Sequence, residues 1–364
     1  MNVSDVDQSL VGSNIEYLSK LDYVTGIQRV VIESHKYLHR ELKASGISLR
    51  GFVASDGEKS EDYKRSAYYR SDPVTNGDTV KLESLDIALL LDLDWGFSFP
   101  NLFMEKQKRN LPVISCIYDL LPIIKPDWFP IENVKKSFRI YLQKITAVSD
   151  HLIFNSNSVY EEFKSLNWNF GGKVHIIPLG AFETPHKNPH YLKPPKSIIS
   201  VATIEPRKGH AELLDAFDIL RKNGENYNLF IVGRYGWHSE ELIERITKHK
   251  DYGGRLRWFP KLTDAEVSAL YDGSTVSVAA SFGEGFGLNI EEALAHNIKV
   301  VLRDIPVFRE REQPNLFYFQ DGAENLANAI MEAEQCDWNP ITSKSLRTMD
   351  HFGQDLLNLI LSEV

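Results

Sequence analysis

The sequence is poor in cysteine, has no excess of positive charge and lacks a long apolar run. Its two cysteines, Cys116 and Cys336, lie far apart among 364 residues, which excludes a dense disulfide framework and favours a reducing compartment. The net charge of −9 argues against a nucleic-acid-binding protein, which would show clustered Lys and Arg. No apolar segment approaches the roughly 20 residues needed to cross a bilayer. The amino-terminal residues lack the basic and apolar character of a signal segment, so we expect a cytoplasmic protein.

The length and composition of the chain predict two domains. With 364 residues, 43% of them hydrophobic and 25% charged, the sequence has the composition of an ordinary soluble enzyme with domains of about 150 to 200 residues. Four prolines between residues 183 and 197 form a stiff polar connection, which predicts a domain boundary. We therefore expect an N-terminal domain over residues 1–185 and a C-terminal domain over residues 186–345.

Short runs rich in valine and isoleucine alternate with amphipathic segments along the chain, a pattern typical of parallel sheets covered by helices. The predicted strands are 47–52, 86–92, 112–118, 151–155 and 174–178 in the first half, and 197–203, 227–232, 256–259, 275–280, 298–302 and 316–319 in the second. The polar stretch 54–79 has no usable periodicity and is predicted to be a loop. The expected fold class is α/β, with two doubly wound Rossmann-like domains that face each other across a cleft.

The most informative segment, SFGEGFGLNIEEALA, places Glu284 and Glu292 eight positions apart around a glycine-rich turn that opens a helix. Gly285 and Gly287 permit a tight turn, so the free N–H groups of residues 286–289 can face an anion at the positive end of the helix. A diphosphate fits there, with Glu284 beside a sugar ring and Glu292 accepting hydrogen bonds from ribose hydroxyls. A plain helix start would explain Glu292 but neither the glycines nor Glu284.

At this segment the chain resembles glycosyltransferase family 4, the retaining, metal-independent enzymes of GT-B fold, whose signature is a glutamate, seven residues and a second glutamate. The resemblance spans most of the chain. Four further segments carry it: the loop Glu205–Gly209, the run Asp304–Glu310, and Thr25–Arg29 with Tyr118–Pro122 in the first half. It implies that the N-terminal domain, residues 1–185, lies on the acceptor side and that the C-terminal domain, residues 186–345, binds the nucleotide sugar. It also implies that residues 346–364 form a C-terminal helix that crosses back to the N-terminal domain.

Two residues depart from the usual pattern of the family. Asn289 stands where proline is common at the helix start, and because asparagine caps a helix well we expect the geometry to survive. Tyr118 stands where many members carry histidine before the aspartate, so the N-terminal half of the site follows the family pattern less closely.

Cleavage of a nucleotide sugar expels a nucleoside diphosphate, whose growing charge must be stabilised by cations and dipoles. Arg207 offers a planar fork for two phosphate oxygens and Lys208 adds a compact charge. A pair of solvated charges is the alternative, but cations are disfavoured at a helix start unless an anion is near. The resemblance implies front-face attack without a covalent nucleophile, with Glu284 holding the hydroxyl groups of the sugar. Asp119 either orients the acceptor, stabilises positive charge on the sugar, or caps a turn.

The remaining donor contacts come from the resemblance and from position in the chain. Lys261 and Leu262 align with the family segment whose backbone contacts the nucleobase. Gly26 opens the first long helix, where it either lets the backbone reach the phosphate or is a plain helix-start glycine. The predicted catalytic residues are Glu284, Arg207, Lys208 and Asp119. The predicted donor-binding residues are Gly26, Arg207, Lys208, Lys261, Leu262, Glu284, Gly285, Phe286, Gly287, Leu288 and Glu292.

Three further signals suggest other sites, and the first two are interpreted as structural. The Asp92-Leu93-Asp94 run looks like a manganese-binding aspartate pair. The cationic loop with Arg207 and Lys208 makes a metal ion unnecessary, so we predict no metal site. We interpret Asp94 and Trp95 as cleft or turn residues. His35 and His39 share a helix face at metal-ligand spacing, but the apolar stripe of that helix leaves them towards solvent with no third ligand.

The third signal is the helix predicted over residues 134–145, which carries Lys135, Lys136 and Arg139 opposite its apolar face. These cations form either a solvated face or an electrostatic contact with anionic lipid. The second interpretation is attractive because many acceptors in the resembled family are lipid-linked.

The expected function is that of a retaining hexosyltransferase that uses a nucleotide diphosphate sugar, of the GDP-mannose type, and a lipid-linked saccharide acceptor, with no metal or other cofactor. The segments Glu205–Lys208 and Thr25–Arg29 resemble those of bacterial transferases of surface polysaccharide assembly, often mannosyl- or rhamnosyl-transferring. Such a protein would contact the inner face of the membrane peripherally and would bind no nucleic acid. The alternatives are a GT-B sugar-nucleotide epimerase or phosphorylase, and a non-catalytic two-domain sugar-binding protein, in which the basic loop would have no role.

Overall fold

The computed structural model describes residues 9–15, 25–52, 72–74, 79–93, 99–183, 196–337 and 346–364. The chain divides into two compact units. Unit 1 comprises Met1–Ile124, Asn133–Gly180 and Thr348–Val364, and unit 2 comprises Lys125–Glu132 and Ala181–Arg347. The division therefore places residues 125–132 and 181–185 in the second unit, whereas the sequence assigned them to the first domain. Most of the predicted loop 54–79 lies outside the described residues.

Unit 1 contains a parallel sheet of seven described strands in the order β3-β2-β1-β4-β5-β6-β7. The strands are β1 (Leu10–Asn14), β2 (Ser48–Phe52), β3 (Thr79–Val80), β4 (Ile87–Leu90), β5 (Val113–Ile117), β6 (His151–Phe154) and β7 (Lys173–Ile176). The helices are α1 (Gly26–Ala44), α2 (Phe99–Arg109), α3 (Leu121–Ile124), α4 (Val134–Val148) and α5 (Asn157–Ser165). The central strands β4, β5 and β6 are buried throughout, which explains why their sequences are apolar without alternation.

Unit 2 contains a second parallel sheet, of six described strands in the order β10-β9-β8-β11-β12-β13. The strands are β8 (Ser197–Val201), β9 (Asn228–Val232), β10 (Leu256–Phe259), β11 (Val276–Ala279), β12 (Lys299–Arg303) and β13 (Leu316–Phe319). The helices are α6 (His210–Lys222), α7 (Glu240–Thr247), α8 (Asp264–Asp272), α9 (Leu288–Ala295) and α10 (Ala323–Gln335). The strand order reverses between β8 and β11, as in a doubly wound Rossmann-like sheet.

The predicted fold class is confirmed, because both units are doubly wound parallel sheets with helices. Each predicted strand is present with a shift of a few residues at its ends. Two strands were missed. β1 has the sequence LVGSN, whose glycine, serine and asparagine are poor strand formers, yet it lies between β2 and β4 and is almost wholly buried. β3 has only two residues, too few to produce a pattern. The predicted arrangement of the two domains across a cleft stays a prediction.

The last helix, α11 (Met349–Leu361), packs against α1 in unit 1. Gly353 lies directly on the ring of Tyr37, whose hydroxyl donates to Gln354 Oε1 at 2.7 Å. Beyond the helix, Glu363 Oε1 lies 3.1 Å from His151 Nε2 on β6. One face of this last helix is therefore buried in unit 1. Among the described residues, no helix combines the length and apolarity needed to span a bilayer.

The prediction that His35 faces solvent is wrong. His35 is fully buried, with Nε2 2.8 Å from Ser13 Oγ and Nδ1 3.0 Å from Asp72 Oδ2. The apolar stripe of α1 did not reveal this face, because His35 contacts Ser13 on β1, a strand that the sequence did not identify, and Asp72. The histidine thus ties α1 to β1 and to the segment around Asp72, and the described residues contain no cluster able to bind a metal ion.

The contact between Gly353 and Tyr37 yields a stability prediction. A Cβ atom at Gly353 would lie 2.6 Å from Tyr37 Cγ, so Gly353→Ala should destabilise unit 1 by about 1–3 kcal/mol through overpacking. Without the clash, alanine in a helix would gain about 1 kcal/mol over glycine. Urea unfolding measures the difference. Asn358→Ala, on the exposed face of α11, is the control and should stay within about 0.5 kcal/mol of wild type. Equal stability of the two variants would contradict the close packing.

Candidate functional site

The candidate site lies where the strand order of unit 2 reverses, between β8 and β11. In open parallel sheets, ligands bind outside the carboxyl ends of the strands at this switch point. After β8 the chain forms a short 3-10 turn, Pro206–Lys208, and after β11 it forms the loop that leads into α9. The fold thus brings the predicted basic loop and the predicted glutamate together across 76 residues of sequence.

Glu284 lies between the two cations of the basic loop. Its Oε2 lies 3.3 Å from Arg207 Nη1, and its Oε1 accepts from Lys208 Nζ and, at 2.8 Å, from Ser281 Oγ. The two loops are also joined through the backbone, where the N–H of Phe282 donates to the carbonyl of Arg207 at 2.8 Å. These bonds fix the position of both loops relative to each other.

The charges of this cluster are strongly coupled. Burial acts to raise the pKa of Glu284, but the adjacent Lys208 ammonium and Arg207 guanidinium outweigh it and lower the pKa to about 2. The carboxylate is therefore ionised at neutral pH. Arginine and lysine side chains held in this way form charge-assisted hydrogen bonds to phosphate groups.

Glu205 also belongs to this cluster, although the sequence identified it only as part of a motif. Its side chain is 1% exposed, and Oε1 lies 2.7 Å from Arg207 Nε. Burial raises the pKa of Glu205, and the neighbouring Arg207 and Lys208 oppose that effect. The guanidinium of Arg207 is thus held from two sides, by Glu205 from its own loop and by Glu284 from the loop after β11.

The glycine-rich turn has the predicted geometry at Gly287, which precedes α9 with φ +94°. A Cβ atom there would lie 2.9 Å from both Ile290 and Phe308, so glycine is required by conformation and by space. Gly285 does not adopt a positive φ. Leu288 and Asn289 begin the helix, so their N–H groups belong to its positive end.

Arg311 bonds to the backbone of this turn, and the sequence did not identify it as a residue of the site. Its Nη2 donates to the carbonyl of Phe286 at 2.8 Å, and its Nε donates to Glu291 Oε1 at 2.8 Å. The side chains of Arg311 and Glu291 are only 6% and 5% exposed. The guanidinium also lies 4.7 Å from the centroid of the Phe286 ring. The one available signal was its place directly after the Asp304–Glu310 run.

Arg303, at the end of β12, supports the beginning of the same loop. Its Nε donates to the carbonyl of Ala280 at 2.9 Å, and its guanidinium also pairs with Glu212 and Asp321. The guanidinium lies 3.8 Å from the centroid of the Phe282 ring. Because Glu212 is on α6, Arg303 links the helix behind the basic loop to the loop that carries the predicted glutamate.

The other predicted donor residues of unit 2 are less closely joined to this cluster. Glu292 is partly exposed on α9. Lys261 is exposed and Leu262 packs partly against the core, both after β10, which β9 separates from β8. Their predicted contacts with ribose and base stay predictions.

The predicted residues of the N-terminal half lie in unit 1. Asp119 Oδ1 accepts from the N–H of Leu121 at 3.1 Å, so it does cap a turn, and its role toward an acceptor stays a prediction. Gly26 is the exposed first residue of α1. Asp92 is buried and accepts from Gln28 Nε2 at 2.9 Å, which anchors it to α1, while Asp94 and Trp95 lie outside the described residues.

Comparison with known proteins identifies one matching family, described as glycosyl transferases group 1, over residues 182–350. The chain is 32% identical over 346 residues to the serotype-specific mannosyltransferase WbdA of Escherichia coli, covering 88% of this chain but 40% of that protein. It therefore spans about two fifths of the length of this relative.

Solved structures resemble the chain over nearly its whole length. A glycosyltransferase from Rickettsia africae superposes with a TM-score of 0.66 at 16% identity, covering 98% of each chain. Anabaena HepE, solved in complex with UDP-glucose, superposes with a TM-score of 0.63 at 14% identity, covering 97% of this chain and 96% of that one. At such identities the likeness concerns the fold.

The buried pair of Arg311 and Glu291 yields a prediction about the turn. Arg311→Gln leaves a buried carboxylate without its partner, so it should destabilise the protein by about 3–5 kcal/mol. The matched control is Arg309→Gln, which breaks the pair with Asp304 on a side chain that is 53% exposed and should cost less than about 1 kcal/mol. Denaturant unfolding compares the two. Similar losses in both variants would show that burial of Arg311 does not determine the stability of the turn.

Proposed function

We propose that this protein is a glycosyltransferase that moves a hexose from a nucleotide diphosphate sugar to a saccharide acceptor. Residues 182–350 belong to the glycosyl transferases group 1 family, and the chain has the predicted GT-B fold. The observation that carries this proposal is the cluster of Arg207, Lys208 and Glu284 at the switch point of unit 2. It lies at the carboxyl end of the sheet, where a parallel sheet of this order binds its ligand.

The cluster and the turn together suit a leaving diphosphate. The fork of Arg207 and the ammonium of Lys208 supply two positive charges, and the start of α9 supplies N–H groups on the neighbouring loop. Glu284 holds both cations, Glu205 also holds Arg207, and Arg303 and Arg311 bond to the backbone of the neighbouring loop, so these groups are in position before a ligand arrives. Such preorganised charge stabilises a leaving group without reorganisation at the moment of reaction.

The finer chemistry of the proposal follows the family resemblance. The sugar keeps its anomeric configuration through front-face attack assisted by the departing phosphate, without a protein nucleophile and without a metal ion. Glu284 holds the hydroxyl groups of the sugar while it balances the two cations, and Glu292 receives the ribose. Lys261 and Leu262 contact the base through their backbone.

The proposed donor is GDP-mannose, and the product belongs to bacterial surface polysaccharide. The support is the identity of 32% to the mannosyltransferase WbdA over most of this chain. The solved complex of HepE with UDP-glucose supports a nucleotide sugar as the class of donor.

A lipid-linked acceptor and a peripheral membrane contact complete the proposal. A groove of about 920 Å³ in unit 1 is lined by α4 and the segment after α5, including Lys135, Lys136, Arg139 and Trp168. Within the described parts of the chain, none of these three cations forms an ion pair with a carboxylate. Ile140 in the same groove is 44% exposed. Cations without a carboxylate partner, beside an exposed apolar side chain and a tryptophan, suit an anionic lipid surface.

The donor role of the basic loop can be tested with Lys208→Met. Loss of this charge at the leaving group should lower kcat for GDP-mannose by about 10²- to 10³-fold, measured as GDP release in the presence of acceptor. Lys222→Met, at the exposed end of α6, is the matched control and should keep full turnover. A thermal-shift series with GDP, UDP and TDP identifies the base, since a ligand at 100 times its Kd adds about 2.7 kcal/mol of stability.

Two outcomes would contradict this part of the proposal. One is full turnover in Lys208→Met, which removes the leaving-group role. The other is activity that disappears with a chelator and returns with manganese, which would require a metal ion.

The membrane contact can be tested with vesicles that contain anionic phosphatidylglycerol. The triple variant Lys135→Gln, Lys136→Gln and Arg139→Gln should bind them about 100-fold more weakly than wild type, since each cation contributes about 1 kcal/mol. A control triple variant, Lys43→Gln, Lys222→Gln and Lys250→Gln, makes the same change in net charge at exposed sites elsewhere. Equal loss in both variants, measured by co-sedimentation, would show a non-specific charge effect and contradict a defined contact.

A further inference from the structure

Unit 1 has its own group of polar side chains at the carboxyl end of its sheet. β5 and β6 are neighbouring parallel strands, with Ile117 paired to Phe154. The residues that follow, Tyr118 and Asp119 on one strand and Asn155 on the other, therefore leave the sheet side by side. α5 begins two residues later and carries Glu162 in its second turn.

Two oxygen atoms of this group are buried without a hydrogen-bond partner among the described residues. Asn155 is 5% exposed and its Oδ1 accepts no hydrogen bond. Glu162 Oε2 is buried in the same way. Native proteins leave few buried acceptors unpaired, and those that remain mark strain or a partner that arrives with a ligand. Two such acceptors at one sheet edge indicate a ligand with hydrogen-bond donors.

The electrostatics of the group restrict the class of ligand. Burial, together with the charge of Asp119, raises the pKa of Glu162 to about 7. An anion is disfavoured beside two carboxyl groups. The described residues contain no cluster of three metal-ligating side chains. Neutral hydroxyl groups, which donate to amide and carboxyl oxygens without adding charge, suit the group.

We propose that Asn155 and Glu162, together with Asp119, bind the hydroxyl groups of the acceptor saccharide. The terminal torsions of asparagine and glutamate are broad, so a small rotation presents either buried oxygen to an arriving hydroxyl. The inference rests on the proposed function and names two residues of unit 1, Asn155 and Glu162, that the sequence did not identify as contacts of the acceptor. Asn155 and Glu162 act as positioning residues, because they orient the acceptor and take no part in cleavage of the donor.

The test uses the full-length protein with GDP-mannose as donor and mannotriose as acceptor. Glu162→Leu and Asn155→Ala should each raise the KM for mannotriose about tenfold, the loss of one hydrogen bond to a carboxyl or amide oxygen. The KM for GDP-mannose and the slow hydrolysis of GDP-mannose in the absence of acceptor should not change. Glu161→Gln, one residue away and paired with Lys164 at the surface, is the matched control and should leave all these constants unchanged.

A second measurement separates a binding role from a structural one. A carboxyl group whose pKa is raised on folding destabilises the protein as pH increases from about 4.5 to about 7. Glu162→Gln should therefore raise the denaturant midpoint of unfolding at pH 8 and change it less at pH 5.5. A residue needed only for the structure would lower the midpoint at both pH values.

The outcomes distinguish this inference from the proposed function. If Glu162→Leu and Asn155→Ala keep the KM for mannotriose while donor hydrolysis is normal, the acceptor assignment is wrong and the transferase proposal stands. If glucosamine inhibits more strongly than mannose through this site, the group binds a cation and the hydroxyl assignment is overturned. If the wild-type protein neither binds nor cleaves any nucleotide sugar, the proposed function fails and this inference fails with it.

Discussion

The structure of the candidate site depends on one buried carboxylate held between two cations. Glu284 joins the loop after β11 to the basic loop after β8, and without the two cations its carboxylate would be an uncompensated charge in a partly buried place. The carboxylate and the cations therefore fix one another. The pKa of Glu284, lowered to about 2, shows how strongly the two cations favour its ionised form. A diphosphate that enters this cluster finds charge already in position, which is the condition for electrostatic stabilisation of a leaving group.

The rest of unit 2 supports this arrangement through arginines that do not belong to the predicted motif. Arg303 fixes the beginning of the loop through the carbonyl of Ala280, and Arg311 fixes its end through the carbonyl of Phe286. Both guanidinium groups are almost fully buried and both are paired with carboxylates. A glycine-rich loop has little conformational stability of its own, so its geometry must come from such contacts. These contacts therefore fix the path of a loop whose glycines would allow many others.

The two units use buried polar groups in different ways. In unit 2 the charged groups of the site are paired with one another, which suits the binding of a charged leaving group. At the carboxyl end of the sheet in unit 1, Asn155 and Glu162 keep oxygen atoms without partners among the described residues. Buried groups of that kind reduce stability unless a ligand satisfies them. The same unit also contains a fully paired set, in which His35 bonds to Ser13 and Asp72 and stabilises the core.

The sequence by itself determined the fold class, eleven of the described strands and the two loops that carry Arg207, Lys208 and Glu284. Strand runs and glycine-rich turns are local patterns that neighbouring residues specify. It did not identify β1, whose burial comes from the strands on either side. It also did not identify the buried state of His35, which depends on contacts with Ser13 on β1 and with Asp72. The pairing of Glu284 with Arg207 and Lys208, and the support from Arg311, were decided only by the tertiary structure. Contacts between residues distant in sequence depend on strand order, and strand order leaves no local pattern.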